Sequence, residues 1–295
     1  MSPAVADQRR SQILVFLAAV VWAVGTAVGM GILGDGVSQQ SRGLFSDHAT
    51  LIAPHGPAFS IWSVIYVGLL GYVIWQWLPR WSATPLAATT RVPAAWALAL
   101  NGIWLLVVQA GWVWVSVVVM VGLVVSLGIL LDRVRFALAA AEIDMASVFA
   151  VPVTFGLYLG WICVATCANI ASALVGSGVE PHDRLATILT IVVLAVVVAI
   201  VFVLGRRFSS QAVVTALSAA VVWGLAWIAV ARFAGELRST PVAWTALAAA
   251  ALVALAWALR IRRRAEAKHA RRRTPGTAAV VCQWKRCCAP CLVNP

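Results

Sequence analysis

Charge is what this sequence has least of. Its 295 residues include ten acidic side chains, and Asp, Glu, Lys and Arg together make up 11%. A soluble domain carries roughly 25%, so a water-exposed globular fold is excluded. The four histidines, His48, His55, His182 and His269, all fall outside the long apolar runs. No haem axial ligand is therefore placed at membrane depth. The acidic residues sit in loops, tails or at the edges of apolar runs. No intramembrane carboxylate pair is available for a proton relay or for acid–base hydrolysis. The motifs G-x-S-x-G and H-E-x-x-H and the phosphate-cradling Walker loop are also missing. No catalytic residue is assigned and no cofactor is implied. Binding or passage fits this composition better than covalent chemistry.

Hydrophobic sequence is abundant, at 62% of residues with a mean hydropathy of +0.94. Apolar runs recur from residue 13 to residue 259. Each is long enough to cross a hydrocarbon core of ~30 Å at ~1.5 Å per residue. The short alternating segments of a membrane barrel are not found. The fold class is therefore all-α, a polytopic transmembrane bundle. Eight spans are expected, at 13–34, 58–78, 93–110, 113–131, 146–175, 185–204, 211–231 and 241–259. Only Gly111-Trp112 separates the third from the fourth, which predicts a tight helical hairpin. The fifth is too long for one upright crossing, so tilt or extension beyond the bilayer is expected. The first run is longer than a secretory h-region and no small-x-small site follows it, so it reads as a transmembrane helix.

Lys and Arg predict the orientation. With the N-terminus cytoplasmic, the outside segments hold only Arg42, Arg184, Arg232 and Arg238 of the 22 basic residues. Both termini are therefore expected inside a cell membrane, crossed by an even number of spans. The net charge of +12 owes much to the tail from Arg260 to Arg273. This reads as a stop-transfer cluster attracted to anionic lipid rather than a nucleic-acid arm. Residues 265–295 read as disordered. The loop 35–57 reads either as a lid over the helix ends or as a plain connector. Cys163 and Cys167, four apart on the fifth span, read as small packing residues. Cys282, Cys287, Cys288 and Cys291 do not follow a zinc-knuckle spacing, and no metal site is assigned.

Aromatic rings carry the functional signal. There are 15 tryptophans against three tyrosines. Trp75, Trp77, Trp81, Trp96, Trp112 and Trp114 fall at span ends, where an interfacial belt accounts for them. Trp22, Trp104, Trp161 and Trp227 lie deeper. Trp62 lies a turn inside the outer edge, four residues before Tyr66, so both rings share a helix face. Asn101 precedes Trp104 by three residues, and Asn169 follows Trp161 by eight, each pair on one face. The two amides read either as hydrogen-bonding glue between helices or as groups that orient the polar edge of a ligand.

The run Pro54-His55-Gly56-Pro57-Ala58-Phe59-Ser60-Ile61-Trp62-Ser63-Val64-Ile65-Tyr66 resembles the second-helix signature of the translocator protein / tryptophan-rich sensory protein family (TspO/MBR). Asn101-Gly-Ile-Trp104 resembles the Asn-x-x-Trp of its third helix. Pro152, Tyr158, Trp161, Ala165-Thr166 and Asn169 resemble its fifth. The resemblance covers about residues 13–175 and departs from the pattern at His55 and Pro57. It implies a five-helix core over 13–175, preceded by a short cytoplasmic segment 1–12. Three additional transmembrane helices over 176–259 and a basic tail 260–295 then make this an enlarged, divergent member.

The resemblance further implies a pocket, open toward the first loop, for a tetrapyrrole, a sterol or a similar hydrophobic small molecule. Trp62, Tyr66, Asn101, Trp104, Trp161 and Asn169 are its expected lining. The expected function is binding of a planar apolar ligand such as a porphyrin for transport, sensing or regulation. The alternatives are a light-dependent porphyrin-degrading enzyme and a small-solute permease or membrane scaffold. Expected partners are that ligand, membrane lipid and, through the extra helices, a second copy in a homodimer.

Overall fold

Capping residues and prolines punctuate the apolar runs and set where each helix begins. The computed structural model describes residues 3–32, 43–140, 143–181 and 183–273. His182, the polar run that ends at Arg42 and the four tail cysteines lie outside the described residues. Helix α1 is Pro3–Gly29 and α2 is Ile61–Trp75, the latter entered through a 3-10 turn, Gly56–Ser60. Helix α3, Pro85–Gln109, starts where Thr84 accepts from the Ala87 N–H at 3.3 Å, with Pro85 in the first turn. Gly111 then turns the chain at φ +74° and opens α4, Val113–Ala140. That positive φ is nearly free of strain only for glycine, and it makes the α3–α4 hairpin as short as expected.

The fifth span begins at Met145–Val148, capped by Asp144, and passes through a π-helical turn, Phe149–Val153. It continues as α5, Thr154–Gly176. Pro152 has no N–H to donate, so the regular ladder breaks at that point. The Phe149 carbonyl accepts both the Thr154 backbone N–H and, at 2.7 Å, the Thr154 hydroxyl. The predicted over-long span is thus an interrupted one. Asp183 and Ser210 cap α6, Arg184–Arg207, and α7, Gln211–Ala234. Helix α8 is Thr240–Arg273. Among the described residues, eight helices are long and apolar enough to cross a membrane, matching the eight expected spans.

Three expectations need correction. Residues 265–273, expected to be disordered, continue the eighth helix to Arg273, because Ala, Arg, Lys and Glu are strong helix formers. Arg91, expected in a cytoplasmic loop, lies inside α3 and is 1% exposed. Trp75 and Trp81, expected at the membrane interface, point inward instead. Trp75 is buried, and both indoles find acceptors across the bundle.

In hydrocarbon, burying one apolar side chain against another gains little, so close backbone approach and cross-helix hydrogen bonds decide the packing. Helices α1 and α3 cross where Gly25 meets Gly102, and a Cβ on either would collide with the other helix's backbone. Helices α5 and α7 cross along Gly156 and Gly160. A Cβ at Gly156 would lie 2.9 Å from the Val213 carbonyl oxygen. Helix α7 therefore packs on α5 as intimately as α1 packs on α3, and residues 1–254 form one unit. The least buried of the spans is α6, with exposed Leu185, Ile188 and Val203, tied at its end by Arg207 Nε to Asp132 at 2.9 Å.

Candidate functional site

Four helices converge on one aromatic cluster, and all six expected residues are in it. Trp62 on α2 lies 5.3 Å from Tyr66 between ring centres, as their i, i+4 spacing requires. The Trp104 ring from α3 lies near-parallel to Trp62, 26° and 6.4 Å away. Trp161 from α5 meets Trp62 edge-on at 6.1 Å. These separations fall in the range where aromatic pairs attract beyond their buried area, by roughly 0.5–1.5 kcal/mol each.

The two deep asparagines bridge helices. The Tyr66 hydroxyl donates to Asn101 Oδ1 at 3.3 Å, and Asn101 Nδ2 donates to the Tyr158 hydroxyl at 2.7 Å. This single amide joins α2, α3 and α5. Asn169 Oδ1 accepts from the Trp104 indole at 3.2 Å, and its Nδ2 donates to Ser116 Oγ at 2.9 Å. That joins α3, α4 and α5. Of the two readings left open for these amides, the geometry provides the interhelical bonds. Both are fully buried, at 0% and 2% exposure.

One polar tip has no such partner. Trp161 is 1% exposed, yet its indole N–H meets no acceptor among the described residues. The buried Trp22 indole on α1, edge-on to Tyr66 at 5.3 Å, is in the same position. A buried donor left unmade costs about 1–3 kcal/mol. Trp62 and Tyr66 are only half-buried, so the cluster can be reached from their side.

Residues 43–57 lie over the cluster. Phe45 presents its edge to Trp104 at 6.5 Å, and Phe59, just after the loop, presents its edge to Trp161 at 5.9 Å. Leu51 and Ile52 are buried, so this stretch is docked rather than solvated. Asp47 fastens it internally. Its Oδ2 is 2.7 Å from His55 Nδ1 and accepts from the Gly56 N–H at 3.2 Å. Partial burial pushes the Asp47 carboxyl up, but the His55 and Gly56 hydrogen bonds outweigh that and hold it below its ordinary value. A cavity of about 620 Å³ opens beside the loop, walled in part by Leu44, Trp114, Gly176 and Ser177.

Sequence reasoning placed Trp22 among the deep tryptophans and Tyr158 in the fifth-helix pattern without assigning either to the site. Tyr158 precedes Trp161 by three residues, so the face shared with a site residue was available as a signal. Phe59 lies in the run that resembles the second-helix signature and was not assigned to the site, while nothing in the sequence distinguishes Ser116 or Phe45 from ordinary helix and loop residues. Cys163 and Cys167 are free, and among the described residues no group of three or more His, Cys, Asp or Glu could hold a metal.

A family model described as TSPO-like protein matches residues 11–259, so the match runs through the three additional helices as well as the first five. No curated protein and no solved structure matches the chain.

Proposed function

Because the chain belongs to the TSPO-like protein family and is a multi-pass membrane protein, we propose that its aromatic cluster binds a planar apolar ligand, tetrapyrrole or sterol-like, for transport, sensing or regulation. The observation that carries this reading is the Trp161 indole: fully buried, set edge-on to Phe59 and Trp62, and lacking an acceptor among the described residues. A ligand that offers a flat face and one polar acceptor at its edge would satisfy that N–H and stack on its neighbours.

The spacing of the rings supports this reading. A flat guest between two parallel rings needs about 7–8 Å, twice the carbon–carbon contact distance of 3.5–4.0 Å. Trp62 and Trp104 stand 6.4 Å apart at 26°. A guest between them would need the half-buried Trp62 to swing outward, with Asn101 and Asn169 holding the frame. On this reading the loop that carries Asp47 faces the outside of the cell and the termini lie in the cytoplasm, as the asymmetry of Lys and Arg favours.

The test is tryptophan fluorescence during titration of the detergent-purified protein with protoporphyrin. Saturable quenching is expected, with affinity about tenfold weaker for Trp62→Phe, a loss of about 1.4 kcal/mol. Absence of saturable quenching in the wild type would overturn the ligand class. Equal affinity in the variant would overturn the site. Absorbance followed under light and in darkness separates binding from degradation, since binding alone leaves the porphyrin intact.

A further inference from the structure

We infer that α7, one of the three helices beyond the five-helix core, is the latch of the ligand site, with Trp223, Trp227 and Arg232 as positioning residues that hold segment 43–60 over the cluster. The inference rests on reading that cluster as a ligand site.

Three separate groups on α7 grip the segment. The Trp223 indole N–H donates to the Ala58 carbonyl at 2.9 Å. The His55 backbone N–H donates to the Trp227 carbonyl at 3.2 Å, and the two rings lie 6.1 Å apart. Arg232 Nη2 donates to the Asp47 carbonyl at 2.6 Å. Asp47 then ties the first half of the segment to the second through His55 and Gly56. These contacts span up to 185 residues of chain. Helix α7 itself is a fixed frame, because Gly156 and Gly160 of α5 lie against its backbone.

The grip falls on the part of the segment that matters to the cluster. Ala58, held by Trp223, is next to Phe59, which covers Trp161. Asp47, held by Arg232, is two residues from Phe45, which covers Trp104. Releasing α7's hold would uncover both indoles together.

The hold is also incomplete. Arg232 is 1% exposed but commits only Nη2, and its Nε and Nη1 find no partner among the described residues. The Asp47 carboxylate is engaged by His55 instead. A few hydrogen bonds and one under-satisfied cation can be released without unpacking a helix, which is what a reversible latch requires.

Stopped-flow protoporphyrin binding to the full-length protein in detergent tests the latch. Trp223→Phe loosens the grip of α7 directly, Asp47→Asn loosens the clasp to His55 and Gly56 through which that grip is spread along the segment, and both leave the cluster intact. Both are expected to raise association and dissociation rates about five- to tenfold, with the dissociation constant unchanged within twofold. Arg232→Lys, which keeps a donor, is expected to show less than half of that acceleration. Unchanged rates, or a weakened affinity carried by dissociation alone, would overturn the latch.

Hydrogen exchange at the His55 and Ala58 amides gives a readout that needs no ligand. Exchange at least fivefold faster in both variants supports the latch even where protoporphyrin fails to bind. Unchanged exchange overturns it whatever the ligand result. Failure of the wild type to bind protoporphyrin, by contrast, counts only against the proposed ligand.

Discussion

The two ends of the bundle handle their buried polar groups in opposite ways. At the end away from the Asp47 loop, buried donors are matched to acceptors. The Trp75 indole donates to Ser147 Oγ at 3.2 Å, and the Trp81 indole donates to Asp144 at 3.0 Å. Arg91 donates from Nε to Gln76 Oε1 at 3.1 Å and from Nη2 to the Gln76 and Ser82 carbonyls. Only the Gln76 side-chain N–H is left over among these groups. At the loop end, the indoles of Trp22 and Trp161 and two nitrogens of Arg232 are without partners among the described residues. Both ends use the same residue types. One spends them on stapling helices together, while the other leaves donors unmade.

The largest expected break in that comparison comes from Arg91→Met. It strips donors from the buried carbonyls that close the turn after α2. A loss of about 3 kcal/mol is expected, the range for removing one member of a buried charged network, and is read as lower resistance to denaturant in detergent. Arg232→Met leaves one carbonyl unmade and removes two donors that already lacked partners. It is expected to cost less than half as much, about 1 kcal/mol. Equal costs would erase the distinction between the ends.

The next effect is a matter of sign. Trp75→Phe removes the indole donor to Ser147 Oγ and is expected to cost about 1–2 kcal/mol. Trp161→Phe removes a donor that has no partner, so stability is expected to stay level or rise slightly. The same denaturation measurement reads both. A loss in Trp161→Phe as large as that in Trp75→Phe, which removes the same volume, would show that its N–H has an acceptor in the folded protein.

The spans and several shared helix faces were visible in the sequence, and the part that was not has a physical explanation. Trp62 and Tyr66 could be paired from their spacing alone, because helix geometry fixes which side chains share a face. The same holds for Asn101 with Trp104. The eight spans and the α3–α4 hairpin followed from run length and from Gly111. The partners of the asparagines were hidden, because Asn169 with Ser116 and Asn101 with Tyr158 are tertiary meetings across 53 and 57 residues. The grip of α7 on the loop was hidden more deeply. Trp227 and Arg232 look like a deep aromatic and a flanking charge until Gly156 and Gly160 set α7 against α5. Trp75 and Trp81 were misplaced because an interfacial tryptophan and an inward one at a span end share the same sequence position.

The smallest expected effect concerns acid. Asp144 accepts from the Ser147 side chain and backbone and from Trp81, and lies beside Arg80. Together these lower its carboxyl from the ordinary aspartate value of 3.8 to about 2. A depressed carboxylate contributes stability that is present above its unfolded pKa and is lost as pH falls through its folded pKa. The wild type should therefore lose stability between pH 4 and about 2, and Asp144→Asn should flatten that part of the profile. An unchanged slope in the variant would detach Asp144 from the staple.

The most direct test pairs two readings on one variant, Trp161→Phe. The account predicts protoporphyrin affinity about tenfold weaker, close to 1.4 kcal/mol, with denaturation resistance equal to or above that of the wild type. Unchanged affinity would contradict it.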